Sequence, residues 1–548
     1  MMSNRIIGAA ALALCAGLSS TANAQMFQRI SGDEDREIAY SIETTTDGGY
    51  ITTGFRDSDP TSLAEDVLIT KHKPDGSIEW QRKWVGPGRD IGYSVQQTFD
   101  GGYIVAAETT SSGDPMLGIL LIRLDSTGGF VWNRYYTGSF MSDPIHGVDP
   151  GVALDQGNNG QIYVTGNAGG VPLILGVGPG GGLIFEALYT DTIMDPDLAA
   201  RFAFTDIKFD NIDATLVVSG TTIRTEATPP AGAFIPTQDA FMMRTTGMGV
   251  PIWSWNYDFP VDLDPDNEFG FNVRETGNGL DIGPNGDIIL NGLTDFGGPA
   301  TTAGTHLVST DRAGFPVWGR EYSYFAPDGI DSSPMTAYAA VRYDDQLNIV
   351  QTGRVRTAGV LHTWESLVDF GGAPIWFWEY GDESNFSQGE SVVPTDCGYA
   401  MAGQYTFFPP VAGSPFTRGE TYLVKNNDDG KTGCLEQQWE FAPDFDVQIK
   451  QNSIQPNYVD ENLTAENWLT ASDASEEILC YDDSCGDPAP CPCDINGDGI
   501  LDLTDIGMFV ACFTGMLPCG DLAAPFGVWD LADVTLFIDC FTTPGGCP

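Results

Sequence analysis

"AYSIETTTDGGYITTG" (39–54) returns as "GYSVQQTFDGGYIVAA" (92–107), and "DVLITKHKPDGSIEWQRKW" (66–84) returns as "GILLIRLDSTGGFVWNRYY" (118–136). Self-similarity at a fixed period is the signature of a repeat architecture. Looser copies of the second pattern follow as "PLILGVGPGGGLIFEALY" (172–189), "DAFMMRTTGMGVPIWSWNY" (239–257), "HLVSTDRAGFPVWGREY" (306–322) and "HTWESLVDFGGAPIWFWEY" (362–380). A glycine stands four residues before an aromatic in each: Gly76 and Trp80, Gly128 and Trp132, Gly181 and Phe185, Gly249 and Trp253, Gly314 and Trp318, Gly372 and Trp376. The segments between are rich in Ile, Val, Tyr and Thr and are broken by Asp-Gly and Gly-Gly turns, which predicts four short antiparallel strands per unit.

No amphipathic helical stretch of convincing length separates the copies, so the units pack sheet against sheet. Radially stacked four-stranded units form a β-propeller. Seven units are counted, the last running through "GESVVPTDCGYAMAGQ" (389–404) and "ETYLVKNNDDGKTGCLEQQW" (420–439). The fold class expected is therefore mainly β, a seven-bladed propeller over residues 25–443. The repeated tryptophans and glycines read as core and turn residues. "FQRI" (27–30) resembles "WQRK" (80–83) and "WNRY" (132–135), and reads as a displaced fourth strand that closes the seventh blade and removes an exposed edge. Cys397 aligns with Gly48 and Cys434 with the repeated aromatic, which predicts a disulfide within that blade.

At 548 residues, with 42% hydrophobic and 11% aromatic residues, the chain can bury a substantial core. Seventy-five acidic residues face 25 basic ones, a formal charge of −50. Nucleic acid and anionic membranes are repelled at long range by such a field. Arg5, the apolar run Ile6 to Leu18 and Ala22-Asn23-Ala24 predict a secretory signal over 1–24, and no later segment has the roughly 18 apolar residues a transmembrane span requires. The protein is expected outside the cell, at its surface or in a periplasm. Ten cysteines follow the signal, and eight of them lie between Cys480 and Cys547, which suits an oxidising compartment. Residues 444–490 read as an acidic connector.

The tail carries a different motif. "DINGDGILDLTD" (494–505) places oxygen ligands at the six positions of a twelve-residue calcium loop: Asp494, Asn496, Asp498, the carbonyl of Ile500, Asp502 and Asp505. Gly499 falls where the loop turns sharply. Four carboxylates in one loop repel one another until a divalent cation neutralises them, so calcium binding and folding are coupled. A shift of 28 residues aligns Asp502 with Asp530, Asp505 with Asp533, Cys512 with Cys540 and Cys519 with Cys547, and apolar residues recur at helical spacing over 504–513 and 532–541. This paired loop-helix pattern over 491–548 resembles the dockerin domain. Its closing "GGC" (545–547) is similar to the GC-type dockerin-like domains at the ends of exported planctomycete proteins.

The resemblance implies a small α-helical, disulfide-rich domain that attaches to a cohesin-like or cell-surface protein. Carried over, partner recognition falls on Leu503, Thr504, Leu531 and Ala532. The second loop (521–533) keeps Asp521, Asp530 and Asp533 but has apolar residues at other ligand positions, so calcium is expected in the first loop only, with the second packed through Phe526 and Trp529.

Catalytic signals are sparse. His72, His146, His306 and His362 occupy unrelated positions, and no zinc cluster or Ser-His-Asp order emerges. Asp262, Asp264 and Asp266 offer carboxylates for a second calcium, although a solvated acidic loop is the explanation favoured for them. The reading favoured is a non-catalytic binding or scaffolding propeller with a glycan or protein ligand; the alternative is an extracellular polysaccharide-degrading enzyme anchored by its tail.

Overall fold

The computed structural model describes residues 26–482, apart from 33–35, 58–64, 112–117, 137–151, 169–170, 192–200, 228–233, 259–273, 296–302, 324–335, 358–359, 382–384, 408–418, 434–435, 439–441, 445–447, 452–453, 458–468 and 472–474; beyond these it describes Phe513, which has helical backbone. Residues 26–482 fall within the first of two compact units, 1–483 and 484–548. The first unit is a seven-bladed propeller. Its innermost strands, blades 1 to 7, are Arg36–Thr44, Asp90–Gln97, Val152–Gln156, Arg201–Asp210, Gly279–Ile282, Thr336–Tyr343 and Phe386–Pro394. The outer strands of blades 1 to 6 are Ile78–Trp84, Phe130–Tyr136, Leu183–Asp191, Pro251–Asp258, Pro316–Ser323 and Pro374–Tyr380. Blade 7 takes its outer strand from the N-terminus: Met26–Gly32 pairs antiparallel with Gly419–Lys425, Phe27 opposite Lys425 and Ser31 opposite Thr421. The closure expected from "FQRI" is the one observed. Among the described residues no helix is long and apolar enough to cross a membrane.

There is no single core. Each hydrophobic cluster joins two neighbouring blades: Ile51, Val67 and Ile69 of blade 1 meet Val95, Val105 and Ile122 of blade 2, and Phe27 and Leu423 of blade 7 meet Ala39 and Ile42 of blade 1. Because both faces of every sheet are covered, strands such as Glu65–His72 and Gly118–Leu124 are buried along their whole length. This is why they read as near-continuous apolar runs rather than as strict alternation.

The repeated glycine and aromatic form a latch from each blade to the next. Gly76, Gly128, Gly181, Gly249, Gly314, Gly372 and Gly430 all have φ between +74° and +80°, in the turns that follow the third strand of each blade; in blades 1 to 6 that turn leads into the outer strand. Each turn is a type I turn closed by a glycine bulge; Gly76 N–H donates to the Lys73 carbonyl at 2.9 Å and Lys73 N–H to the Ser77 carbonyl at 2.8 Å. A Cβ on each of these glycines would strike an aromatic of the preceding blade: Phe27 against Gly76, Trp80 against Gly128, Trp253 against Gly314, Trp318 against Gly372. The indole of Trp132 donates to the Pro179 carbonyl (3.2 Å), that of Trp318 to Phe370 (2.9 Å) and that of Trp376 to Asp428 (2.8 Å). Four residues further on, the hydroxyls of Tyr189, Tyr257, Tyr322 and Tyr380 donate to the carbonyls of Gly249, Gly314, Gly372 and Gly430 at 2.6–2.8 Å. Spacing within a hairpin thus encodes contact between hairpins.

Two turns break the glycine rule. Between the first two strands of blades 4 and 6, Ala214 (φ +57°) and Leu347 (φ +66°) hold the left-handed conformation that Gly48 and Gly101 hold elsewhere. Blade 7 differs again. Pro394 pairs with Tyr399, whereas Thr44 pairs with Tyr50, so its turn is one residue shorter. Positive φ therefore falls on Gly398 (+71°), and Cys397, although aligned with Gly48 by sequence, does not take that position. Its expected partner Cys434 lies outside the described residues.

The chain after blade 7 turns back along the rim. Glu436–Gln438 pairs with the outer strand of blade 6, Ala442–Asp444 with blade 5, Gln448–Gln451 with blade 4 and Ile454–Asn457 with blade 3. Leu469–Ala471 then pairs with blade 1 and Ser475–Asp482 with the N-terminal strand of blade 7. All six pairings are antiparallel, and each occupies backbone groups that an outer strand would otherwise leave unbonded. Much of the stretch read as a connector is therefore a belt of fifth strands, running in reverse blade order. Among the described residues blade 2 has four strands.

Candidate functional site

The innermost strands present one residue each at an equivalent level of the central channel, directly after the buried apolar residues Ile42, Val95, Leu154, Ile207, Leu280, Val341 and Val392. In blade order that level reads Glu43, Gln96, Asp155, Lys208, Asp281, Arg342 and Val393. Lys208 pairs with Asp206 on its own strand, and the other polar members engage one another or the backbone. Arg342 donates to Glu43 Oε1 at 3.2 Å from blade 6 to blade 1. Gln96 Nε2 donates to Asp155 Oδ1 at 2.7 Å, and Phe209 N–H donates to Asp155 Oδ2 at 2.6 Å. Tyr343 N–H donates to Asp281 Oδ2 at 2.8 Å. Burial raises the carboxyl pKa of Glu43 and Asp281 above the ordinary range, with Arg342 and Lys208 pulling the other way. Burial by itself would lower Arg342, but Glu43 and Asp281 beside it hold its guanidinium above its ordinary value.

The level beneath ties inner strands together. Ser391 Oγ accepts from Ile42 N–H, Ser41 Oγ from Val95 N–H and Ser94 Oγ from Leu154 N–H, each at 3.3 Å; Asp206 Oδ2 accepts from Leu280 N–H at 3.1 Å. Four of the seven inner-strand junctions are bridged in this way. The serines of "AYSIE" and "GYSVQ" thus link blades.

Over the ring, between the inner turns of blades 1 to 4, opens a recess of about 460 Å³. Glu43, Gln96 and Asp155 form its floor, and its walls come from turn residues including Thr46, Gln97, Phe99, Gln156, Asn158 and Asn211. The size is that of a small-ligand site. Phe99 is 70% exposed there. A repeat search finds what recurs, and this site is made of what differs between copies: Thr46, Phe99 and Asn158 hold the same turn position in blades 1, 2 and 3.

The calcium residues Asp494, Asn496, Asp498, Ile500, Asp502 and Asp505, and the partner residues Leu503, Thr504, Leu531 and Ala532, lie outside the described residues, as do Asp262, Asp264, Asp266 and His146. Among the described residues no group of three or more His, Cys, Asp or Glu side chains is placed to hold a metal ion. The other histidines belong to the sheets. Thr52 Oγ1 lies 3.2 Å from His72 Nε2, Thr294 Oγ1 lies 2.9 Å from His306 Nδ1, and His362 pairs with Glu379.

Burial pushes His72 down to about 4 and His306 down to about 3, from an ordinary 6.5. Below 6.5 the unfolded chain takes up protons that these folded sites refuse. Their contribution to stability is therefore complete above pH 6.5 and is lost as the pH falls toward 4 and then 3. Glu365 has the opposite sign: burial pushes it up to about 8, so its contribution declines as pH rises from 4.5 to about 8. Between pH 6.5 and 4, wild-type protein is expected to lose about 3 kcal/mol more than His306→Gln, read from urea midpoints; parallel pH profiles would contradict the assignment.

No protein-family model and no curated protein matches the chain. Among solved structures it is similar to the GH93 α-L-arabinofuranosidase of Fusarium graminearum in complex with arabinobiose (TM-score 0.37, 11% identity, 61% of this chain and 92% of that one). It is also similar to Sqt1 from Chaetomium thermophilum (0.31, 10%, 74% and 90%) and to Drosophila Plexin A in complex with Semaphorin 1b (0.32, 9%, 78% and 87%).

Proposed function

We propose that the chain is an exported, non-catalytic binding or scaffolding propeller, carried by a calcium-dependent dockerin-like domain at its C-terminus. The observation that supports the binding role is the state of the channel ring. Glu43 is paired with Arg342, Asp155 accepts from Gln96 and Phe209, and Asp281 accepts from the backbone of Tyr343, so these carboxylates hold the protein's own groups in place. A general acid or nucleophile must instead reach a substrate atom. The attachment role rests on the loop 494–505 and its partial duplicate. Leu503, Thr504, Leu531 and Ala532 would face a cohesin-like or cell-surface partner.

The test is incubation of full-length protein with a panel of polysaccharides, reading both retention and release of reducing ends. Retention without release is expected. Release that disappears in Asp281→Asn would replace this reading with hydrolysis. For the tail, calorimetry should show one calcium-binding event in the full chain that Asp494→Ala weakens at least about tenfold, since it removes one anionic ligand; a trace unaltered by Asp494→Ala would discard the loop.

A further inference from the structure

We infer that the recess over the channel ring is a carbohydrate site, taking a short, uncharged oligosaccharide through the exposed face of Phe99 and the surrounding carboxamides. This inference rests on the reading of the propeller as a binding module and supplies its ligand class. Phe99 is the anomaly that leads to it. The turn 98–102 closes through backbone bonds between Thr98 and Gly101 and between Thr98 and Gly102, and Thr98 Oγ1 donates to Asp100 Oδ1 at 2.6 Å, none of which involves the phenyl ring. Threonine and asparagine fill the same place in blades 1 and 3. Leaving a phenyl group in water forgoes about 1.5–3 kcal/mol of burial, so the fold gains nothing from it there. A ligand that covers the ring recovers that energy.

Neighbouring groups narrow the class. Gln156, Asn158 and Asn211 each carry a donor and an acceptor on one planar group, which suits vicinal hydroxyls that donate and accept side by side, while the amide of Gln97 is held by Thr46 N–H and the Gly101 carbonyl and shapes the wall. Thr46 adds a hydroxyl on the blade 1 wall. The floor is already compensated, Glu43 by Arg342 and Asp155 by Gln96 and Phe209. An anion would meet the field of a chain carrying −50, and a cation would have to displace those partners. A neutral, hydroxyl-rich molecule with an apolar C–H face satisfies the aromatic, the amides and the charge together. The volume of about 460 Å³ accommodates a short oligosaccharide rather than a bare ion.

The experiment titrates full-length protein with neutral glucose-, xylose-, mannose- and arabinose-based tetrasaccharides by calorimetry, alongside Phe99→Ala, Asn158→Ala and Phe315→Ala. Phe315 serves as the control because it is 48% exposed on a turn of blade 5, away from the recess. The expected result is binding of at least one sugar, weakened about tenfold or more by Phe99→Ala and by Asn158→Ala, and unaltered by Phe315→Ala, with melting curves unchanged. Three outcomes overturn the site: no sugar binds, binding ignores Phe99→Ala, or Phe315→Ala weakens it equally. Reducing ends appearing in the same samples would overturn the non-catalytic reading while leaving the site standing; binding that ignores Phe99 would do the reverse.

Discussion

Deletion of Met26–Gly32 is expected to abolish cooperative unfolding and to drive the protein into aggregates. The seven residues are all buried, and the strand bonds on both edges, to Gly419–Lys425 and to Ser475–Asp482. Phe27 and Ile30, at 0% and 1% exposure, enter two different inter-blade clusters. Gln28 Nε2 donates to Thr432 Oγ1 at 2.8 Å, and its Oε1 accepts from Tyr422 at 2.5 Å. Loss of two large apolar side chains alone removes roughly 5–10 kcal/mol. That already approaches the 5–15 kcal/mol by which folded domains typically exceed the unfolded state. The deletion also exposes two strand edges, which template aggregation. Size-exclusion chromatography and thermal unfolding decide the matter: a monomeric deletion variant with an unshifted midpoint would show that the ring does not need this strand.

The second large effect is expected at the latch. Gly430→Ala should destabilise the protein by about 3 kcal/mol or more, because two penalties coincide. Gly430 has φ +76°, where an L residue is strained by about 1–2 kcal/mol. A Cβ there would lie 2.3 Å from Trp378 Cδ1 and 2.9 Å from Trp376, both held by hydrogen bonds to Asp428 and Asp429. Gly180 supplies the internal control. It sits in the equivalent turn of blade 3, where an added Cβ would meet no heavy atom within 4 Å and φ is not positive. Gly180→Ala should leave the urea midpoint nearly unchanged, and equal shifts in the two variants would refute the latch.

These latches show where sequence reasoning reached. The Gly128–Trp132 spacing was visible because it lies within one hairpin, and it located the outer strands in six blades. That Trp80 rather than Trp132 covers Gly128 was not visible, since the contact spans a blade boundary of variable length. The inner turns of blades 4 and 6 were obscured because Ala214 and Leu347 stand in for glycine. The channel ring escaped for a deeper reason: Glu43, Gln96, Asp155, Lys208, Asp281, Arg342 and Val393 share a position and differ in chemistry, so no repeat search collects them. Belt strands such as Ala442–Asp444 and Leu469–Ala471 are three residues long and join the sheets by backbone pairing, which leaves little side-chain pattern to read. The calcium reading of the tail rests on the spacing of Asp494, Asn496 and Asp498, which lie outside the described residues.

The belt also bears on tension. If a tether pulls from beyond Asp482, force enters at the end of Ser475–Asp482, at the pairing of Asp482 with Met26. The rim strands would then peel one rung at a time, first from blade 7, then from blade 1 and onward to blade 6. Residues 436–482 span at most about 160 Å when fully stretched. Such a pull would thus be taken up by this slack before it reached the four strands of any blade from blade 1 to blade 6.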